Sequence, residues 1–151
     1  MVTTVHSSDE FQALKGKQLG WSDWFLVDQA RVNLFADATD DHQWIHVDPE
    51  RAAGGPFGGP IAHGYLTLSL IPALIHEVLD VQGMRLGVNY GCNKVRFPAP
   101  VKVGSKLRLG ATVNAVEEVK DAVQVILEVT LATEGADKPS CVAEVVYRYY
   151  W

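Results

Sequence analysis

The chain has 151 residues, 48% of them apolar and 21% charged, and carries a formal net charge of −5. That length fits a single domain over 1–151 with one sizeable core, and the composition excludes a disordered chain. The acidic balance, uninterrupted by any Lys/Arg cluster, excludes nucleic acid and an anionic membrane as main partners. It leaves room for a small phosphorylated ligand held by a few local cations.

In chain order, the opening MVTTVHSSDEFQALKGKQ has no apolar run of the signal-peptide type. Cys92 and Cys141 form no metal or redox spacing and are few for a secreted scaffold, so the expected setting is cytoplasmic, with both as buried free thiols. QLGWSDWFLV offers a strand. DQARVNLFADAT spaces Ala30, Val32, Leu34, Phe35 and Ala38 as a helix does, with Asp28 as N-cap. DDHQWIHVDPERA follows directly, and its Asp48-Pro49 pair suits a second helix start, cap then proline. GGPFGGPIAHG, with five glycines and two prolines, predicts a loop. YLTLSLIPALIHEVLD is apolar nearly all round, which predicts a buried helix kinked or split at Pro72, and it is too short to cross a bilayer.

The second half alternates with period two. Leu107 to Ala115, Val123 to Leu131 and Cys141 to Tyr149 each keep one apolar parity, as strands with one buried face do. VKDA and EGADKPS supply the turns. From Met84 to Phe97 the apolar parity switches beside Gly91, which predicts a bulge. The economical architecture is α+β, a curved antiparallel sheet around one helix. Its exposed edges predict a homodimer that continues the sheet.

Residues 40–52 pose the functional question. On spacing alone they suit a solvated structural turn as well as a site. A metal reading draws on Asp40, Asp41, His42, His46 and Asp48, but His-x-x-x-His normally needs a helix to set both rings on one face. Trp44-Ile45 and Pro49 disfavour a helix here, so no metal is expected. An acid–base reading needs one carboxylate and one imidazole that share a water, and Asp41 with His46 on an irregular segment meets that need. His63 lies near across the glycine loop. Free N–H groups where that loop enters the buried helix would face a developing oxyanion. Hydration, dehydration and thioester hydrolysis all suit this set.

FADATDDHQWIHVDPERA, GPFGGPIAHGYLTLSLIPAL, NYGCNKVRFPAPVKVGS and CVAEVVYRY together resemble the MaoC-like (R)-specific enoyl-CoA hydratases, specifically their NodN-like branch. The resemblance implies a hotdog fold, a long helix wrapped by an antiparallel sheet, usually paired into a dimer. It implies reversible hydration of a trans-2-enoyl thioester of CoA or acyl carrier protein to the (R)-3-hydroxyacyl thioester, with no cofactor. Position by position, it implies Asp41 and His46 as the pair that holds water and moves its protons. Gln43 then stands as a third water contact, and Gly64 as the N–H donor to the thioester oxygen. Asp40 stands where the family often has glycine, and Trp44 where many members have proline. The first substitution suggests a left-handed residue, which aspartate tolerates better than most. Lys94 and Arg96 are candidates for the CoA phosphates, against the simpler reading of ordinary surface-strand charges. Tyr65 and Trp44 are candidates for the acyl channel, with core packing the simpler reading. The competing functions are a hotdog acyl-CoA thioesterase and a non-catalytic acyl-CoA-binding partner subunit.

Overall fold

The computed structural model describes the chain from Met1 to Trp151. Its elements run β1 (Thr3–Val5), α1 (Ser8–Gln12), β2 (Gln18–Trp21), β3 (Phe25–Leu26), α2 (Gln29–Thr39), α3 (Trp44–Val47), α4 (Pro49–Ala53), α5 (Gly64–Ser69), α6 (Ile71–Ile75), β4 (Leu79–Val81), β5 (Leu86–Arg96), β6 (Lys106–Val119), β7 (Ala122–Thr133) and β8 (Cys141–Tyr150).

Helix starts follow the local chemistry. The Asp28 side chain accepts from the Arg31 N–H at 2.9 Å and opens α2, and the Asp48 side chain accepts from the Arg51 N–H at 3.0 Å and opens α4 with Pro49 in its first turn. The central helix is split, as its proline predicts. α5 ends at Ser69 with Leu70 as its C-cap, and Pro72 sits in the first turn of α6, where its missing N–H costs no helical bond. The helix is not buried all round, however. Leu66, Leu70, Ile71, Leu74 and Ile75 lie in the core, while Tyr65, Pro72, Ala73 and His76 stay exposed. Tyr65, 72% exposed, is therefore not a core residue.

The main sheet has the order β2-β6-β7-β8-β5, with β3 also pairing β6, and all these pairings are antiparallel. A parallel pair, β1 with β4, forms a small second sheet that the sequence pattern did not reveal. β7 follows the period-two expectation: Val123, Val125, Leu127, Val129 and Leu131 are all buried. β6 departs from it. A bulge between Val113 and Ala115 shifts the register, so Val116 replaces Ala115 in the core. In β5 the register shifts between Asn89 and Gly91, beside the parity switch, and again between Cys92 and Lys94. β5 is an edge strand, and its alternation does not translate into a buried face: Leu86 and Tyr90 are exposed, and so is the Cys92 thiol, so that of the two cysteines only Cys141 is buried as expected. The core joins the inner face of the sheet to α5–α6 and closes with Phe11 stacked on Tyr149 at 5.3 Å. No helix is long and apolar enough to cross a membrane.

Candidate active site

The site is assembled where α2 ends. Asp40 is its C-cap, with φ 57° and ψ 22°, the left-handed conformation anticipated for this position. That turn reverses the chain and leaves Asp41 outside the helix. The Gln43 N–H donates to Asp41 Oδ1 at 3.4 Å, so Gln43 contacts the carboxylate through its main chain while its side chain is exposed.

His46 does not lie on an irregular segment. Residues 44–47 form a single helical turn, α3, closed by the Asp48 N–H donating to the Trp44 carbonyl at 3.1 Å, because Asp48 begins the next helix. Gln29 of α2 ties this turn down by donating to the His46 carbonyl at 2.8 Å. The glycine loop returns against it: the Ile61 N–H donates to the Ile45 carbonyl at 2.9 Å, and the Ile61 carbonyl accepts from His46 Nδ1 at 2.7 Å. A carbonyl can only accept, so Nδ1 carries the proton and Nε2 offers a lone pair. Burial holds the His46 imidazole below the usual histidine range. The Ile61 carbonyl and the Asp41 carboxylate oppose that shift, and His63 adds to it.

Sequence reasoning gave His63 no role, although its place beside the glycine loop was visible. It is 2% exposed, its ring stacks on His46 with centroids 3.9 Å apart and planes 24° apart, and its Nε2 donates to the Asp41 carbonyl at 2.9 Å. One carboxylate oxygen of Asp41 and one ring nitrogen each of His46 and His63 lie within 4.8 Å of one another.

The metal set read from the sequence is dispersed. Asp40 caps α2, Asp48 caps α4, and His42 is bonded to Asp37 at 2.8 Å, which raises its pKa. The trio of Asp41, His46 and His63 is a poor cation cage. Nearly parallel rings aim their in-plane lone pairs side by side rather than at one point, and one nitrogen of each ring already donates to a carbonyl.

Gly64 follows His63 as the first residue of α5. A Cβ there would meet the Phe97 ring at 3.0 Å, so only glycine fits without moving that ring. Gly64 and Phe97 line a cavity of about 330 Å³ together with Phe57, Ile61, Ala62 and Thr67; Asp41 and His46 are not among its lining residues. Trp44 is half-buried, with Arg51 4.4 Å above its ring, and a Cβ on Gly55 would approach that ring at 3.0 Å. It is a packing residue of the loop. Lys94 and Arg96 are exposed on β5, and the Arg96 guanidinium donates to the Val95 carbonyl at 2.8 Å.

A family model described as MaoC like domain matches residues 10–135. The chain belongs to the MaoC-like dehydratase family. It is 53% identical over 147 residues to the 3-hydroxyacyl-thioester dehydratase Z of Mycobacterium tuberculosis, covering 97% of each chain. It is 46% identical over 132 residues to the nodulation protein N of Rhizobium leguminosarum bv. viciae, covering 85% of this chain and 81% of that one. Among solved structures, the (R)-hydratase of A. caviae superposes with a TM-score of 0.69 at 27% identity, covering 88% of this chain and 94% of the other. The fold is accordingly the hotdog fold of the MaoC-like dehydratases, and the protein is a hydro-lyase of that family.

Proposed function

We propose that this hydro-lyase interconverts an (R)-3-hydroxyacyl thioester and the trans-2-enoyl thioester, with CoA as carrier, and that Asp41 and His46 act on one water. The observation that carries the reading is the approach of the Asp41 carboxylate to a buried imidazole whose Nε2 lone pair is free. Dehydration breaks the C–H bond at the α-carbon and the C–O bond at the β-carbon; the proton and the hydroxyl leave as water. Hydration runs the same steps backward. Between them, Asp41 and His46 hold the water, take its proton and deliver a proton to the α-carbon. The Gly64 N–H precedes the first i→i−4 bond of α5, made by the Thr67 N–H to the His63 carbonyl, so it is free to donate to the thioester oxygen as negative charge grows there. Gln43 supplies a further water contact, and Lys94 and Arg96 meet the CoA phosphates. The working unit is a cytoplasmic homodimer joined along β5. Support for that comes from the open strand edge and from the exposed Leu86, Tyr90, Phe97 and Tyr65 around it.

The test is turnover on crotonyl-CoA by the parent, Asp41→Asn and His46→Gln, following both enoyl absorbance and free thiol. Removing a positioned acid–base group typically costs roughly 10²–10⁴ in rate. Each variant is expected to lose activity on that order with its circular dichroism unchanged. Because the two groups act as a unit, the double variant should be only slightly worse than either single. Near-parental turnover in both single variants, an (S)-alcohol product or stoichiometric thiol release would each refute the reading.

A further inference from the structure

Of the two buried histidines, His46 and His63, the mechanism above leaves His63 unused. His63 is 2% exposed, and its Nδ1 is buried without any hydrogen-bond partner. Its Nε2 donates to the main-chain carbonyl of Asp41, a residue 22 positions earlier in the chain, at 2.9 Å. Since a carbonyl only accepts, the proton is on Nε2 and the lone pair is on the unpartnered Nδ1. A buried acceptor left unmatched is unfavourable, and a phenyl ring would fill the same space without it. Packing alone therefore does not account for an imidazole here; the N–H to Asp41 does.

The other contacts of His63 point the same way. Its ring covers one face of His46 at 3.9 Å, and the Phe35 ring of α2 packs on it at 5.0 Å. Its own carbonyl starts α5 by accepting from the Thr67 N–H at 3.1 Å. The side chain thus joins the Asp41 turn to the α3 turn that carries His46, and the main chain of the same residue starts the helix that carries Gly64. The Asp41 turn has little else to hold it: Asp40 is exposed in a left-handed conformation, and the only other bond to Asp41 is the long one from the Gln43 N–H at 3.4 Å.

We propose that His63 is a positioning residue, whose Nε2–H fixes the Asp41 main chain while its ring face fixes the His46 imidazole, so that carboxylate and Nε2 stay in register for the same water. The proposal rests on the reading of Asp41 and His46 as the reacting pair.

Two variants separate the contacts. His63→Phe keeps a ring face of similar volume and loses the donor; His63→Gln keeps a donor near the Nε2 position and loses the ring. A misplacement of about an ångström in a reacting group can cost about 10²-fold in rate. In His63→Phe, kcat is expected to fall by about that factor with KM little changed, and His63→Gln should recover part of the loss. Parental kcat in folded His63→Phe, or no advantage of Gln over Phe, overturns the proposal. Histidine ¹⁵N NMR of the unaltered protein gives a second reading that does not depend on any variant folding. The expected result is a ring N–H on Nε2 of His63 with slow solvent exchange; a proton on Nδ1 instead overturns the proposal. Asp41→Asn is assayed alongside. If it keeps parental turnover, the reading of the pair fails; if it loses turnover while His63→Phe does not, only the role of His63 fails.

Discussion

Single residues carry the chemistry, and two of them test the local electrostatics and strain. Asp40 sits at φ 57°, a conformation that favours glycine. Asp40→Gly should leave stability unchanged or raise it by up to about 1 kcal/mol, read as the midpoint of a urea melt. A clear loss of stability would contradict the strain at this position.

His46 supplies the second test. Its folded pKa lies below the ordinary histidine value of 6.5, chiefly through burial. The unfolded chain therefore takes up this proton before the native protein does. The resulting contribution to stability is present above the unfolded pKa and is lost as pH falls through the lower folded value. His46→Gln should flatten that part of the stability profile just below the ordinary histidine value of 6.5. An unchanged slope in equilibrium melts would show that His46 is not held neutral by its surroundings.

At the scale of elements, the helix starts were legible because each rests on neighbours in sequence. Asp28 and Asp48 cap helices by bonding amides three residues on, and Pro72 divides the central helix by its own missing N–H. The single turn 44–47 was not legible, because it is fixed by the Gln29 bond from α2 and the Ile61 bonds from the glycine loop. The bulge at Asn114 was hidden for a similar reason: Ala115 and Val116 are both apolar, and only pairing with β7 decides which one faces inward. Gly64 is the element-level test. An alanine Cβ would push the half-exposed Phe97 ring outward from the start of α5. Gly64→Ala should lower kcat/KM at least about tenfold through the crowded N–H donor while the fold survives, with Gly64→Ala/Phe97→Ala regaining melting temperature but not the lost rate. Full activity in Gly64→Ala would remove this N–H from the mechanism.

At the scale of the whole molecule, β5 leaves a long strand edge unpaired beside exposed Leu86, Tyr90 and Phe97. Such an edge invites pairing with another chain, and two-fold closure is the commonest outcome for a homo-oligomer. The protein should sediment as a dimer at micromolar concentration, with a melting temperature that falls on dilution. Leu86→Glu combined with Tyr90→Glu should shift it toward monomer. A monomer in the unaltered protein, or dimerisation indifferent to both charges, would count against β5 as the joint.

The sequence by itself determined what depends on near neighbours and on periodicity: the caps, the turns, the alternation of β7 and β8, and the Asp41, His46 and Gly64 motifs by which the chain resembles its family. Tertiary structure alone decided which face of the α5–α6 helix is covered, how β5 meets the sheet, and that His63 belongs with Asp41 and His46. The reason is physical. A capping bond spans three residues and leaves its mark in the local pattern, whereas the bond from His63 to the Asp41 carbonyl spans 22 residues and exists only once the glycine loop has folded back on α3. No local preference of either segment encodes that approach. The packing of Ile61 against the turn that holds His46 brings it about.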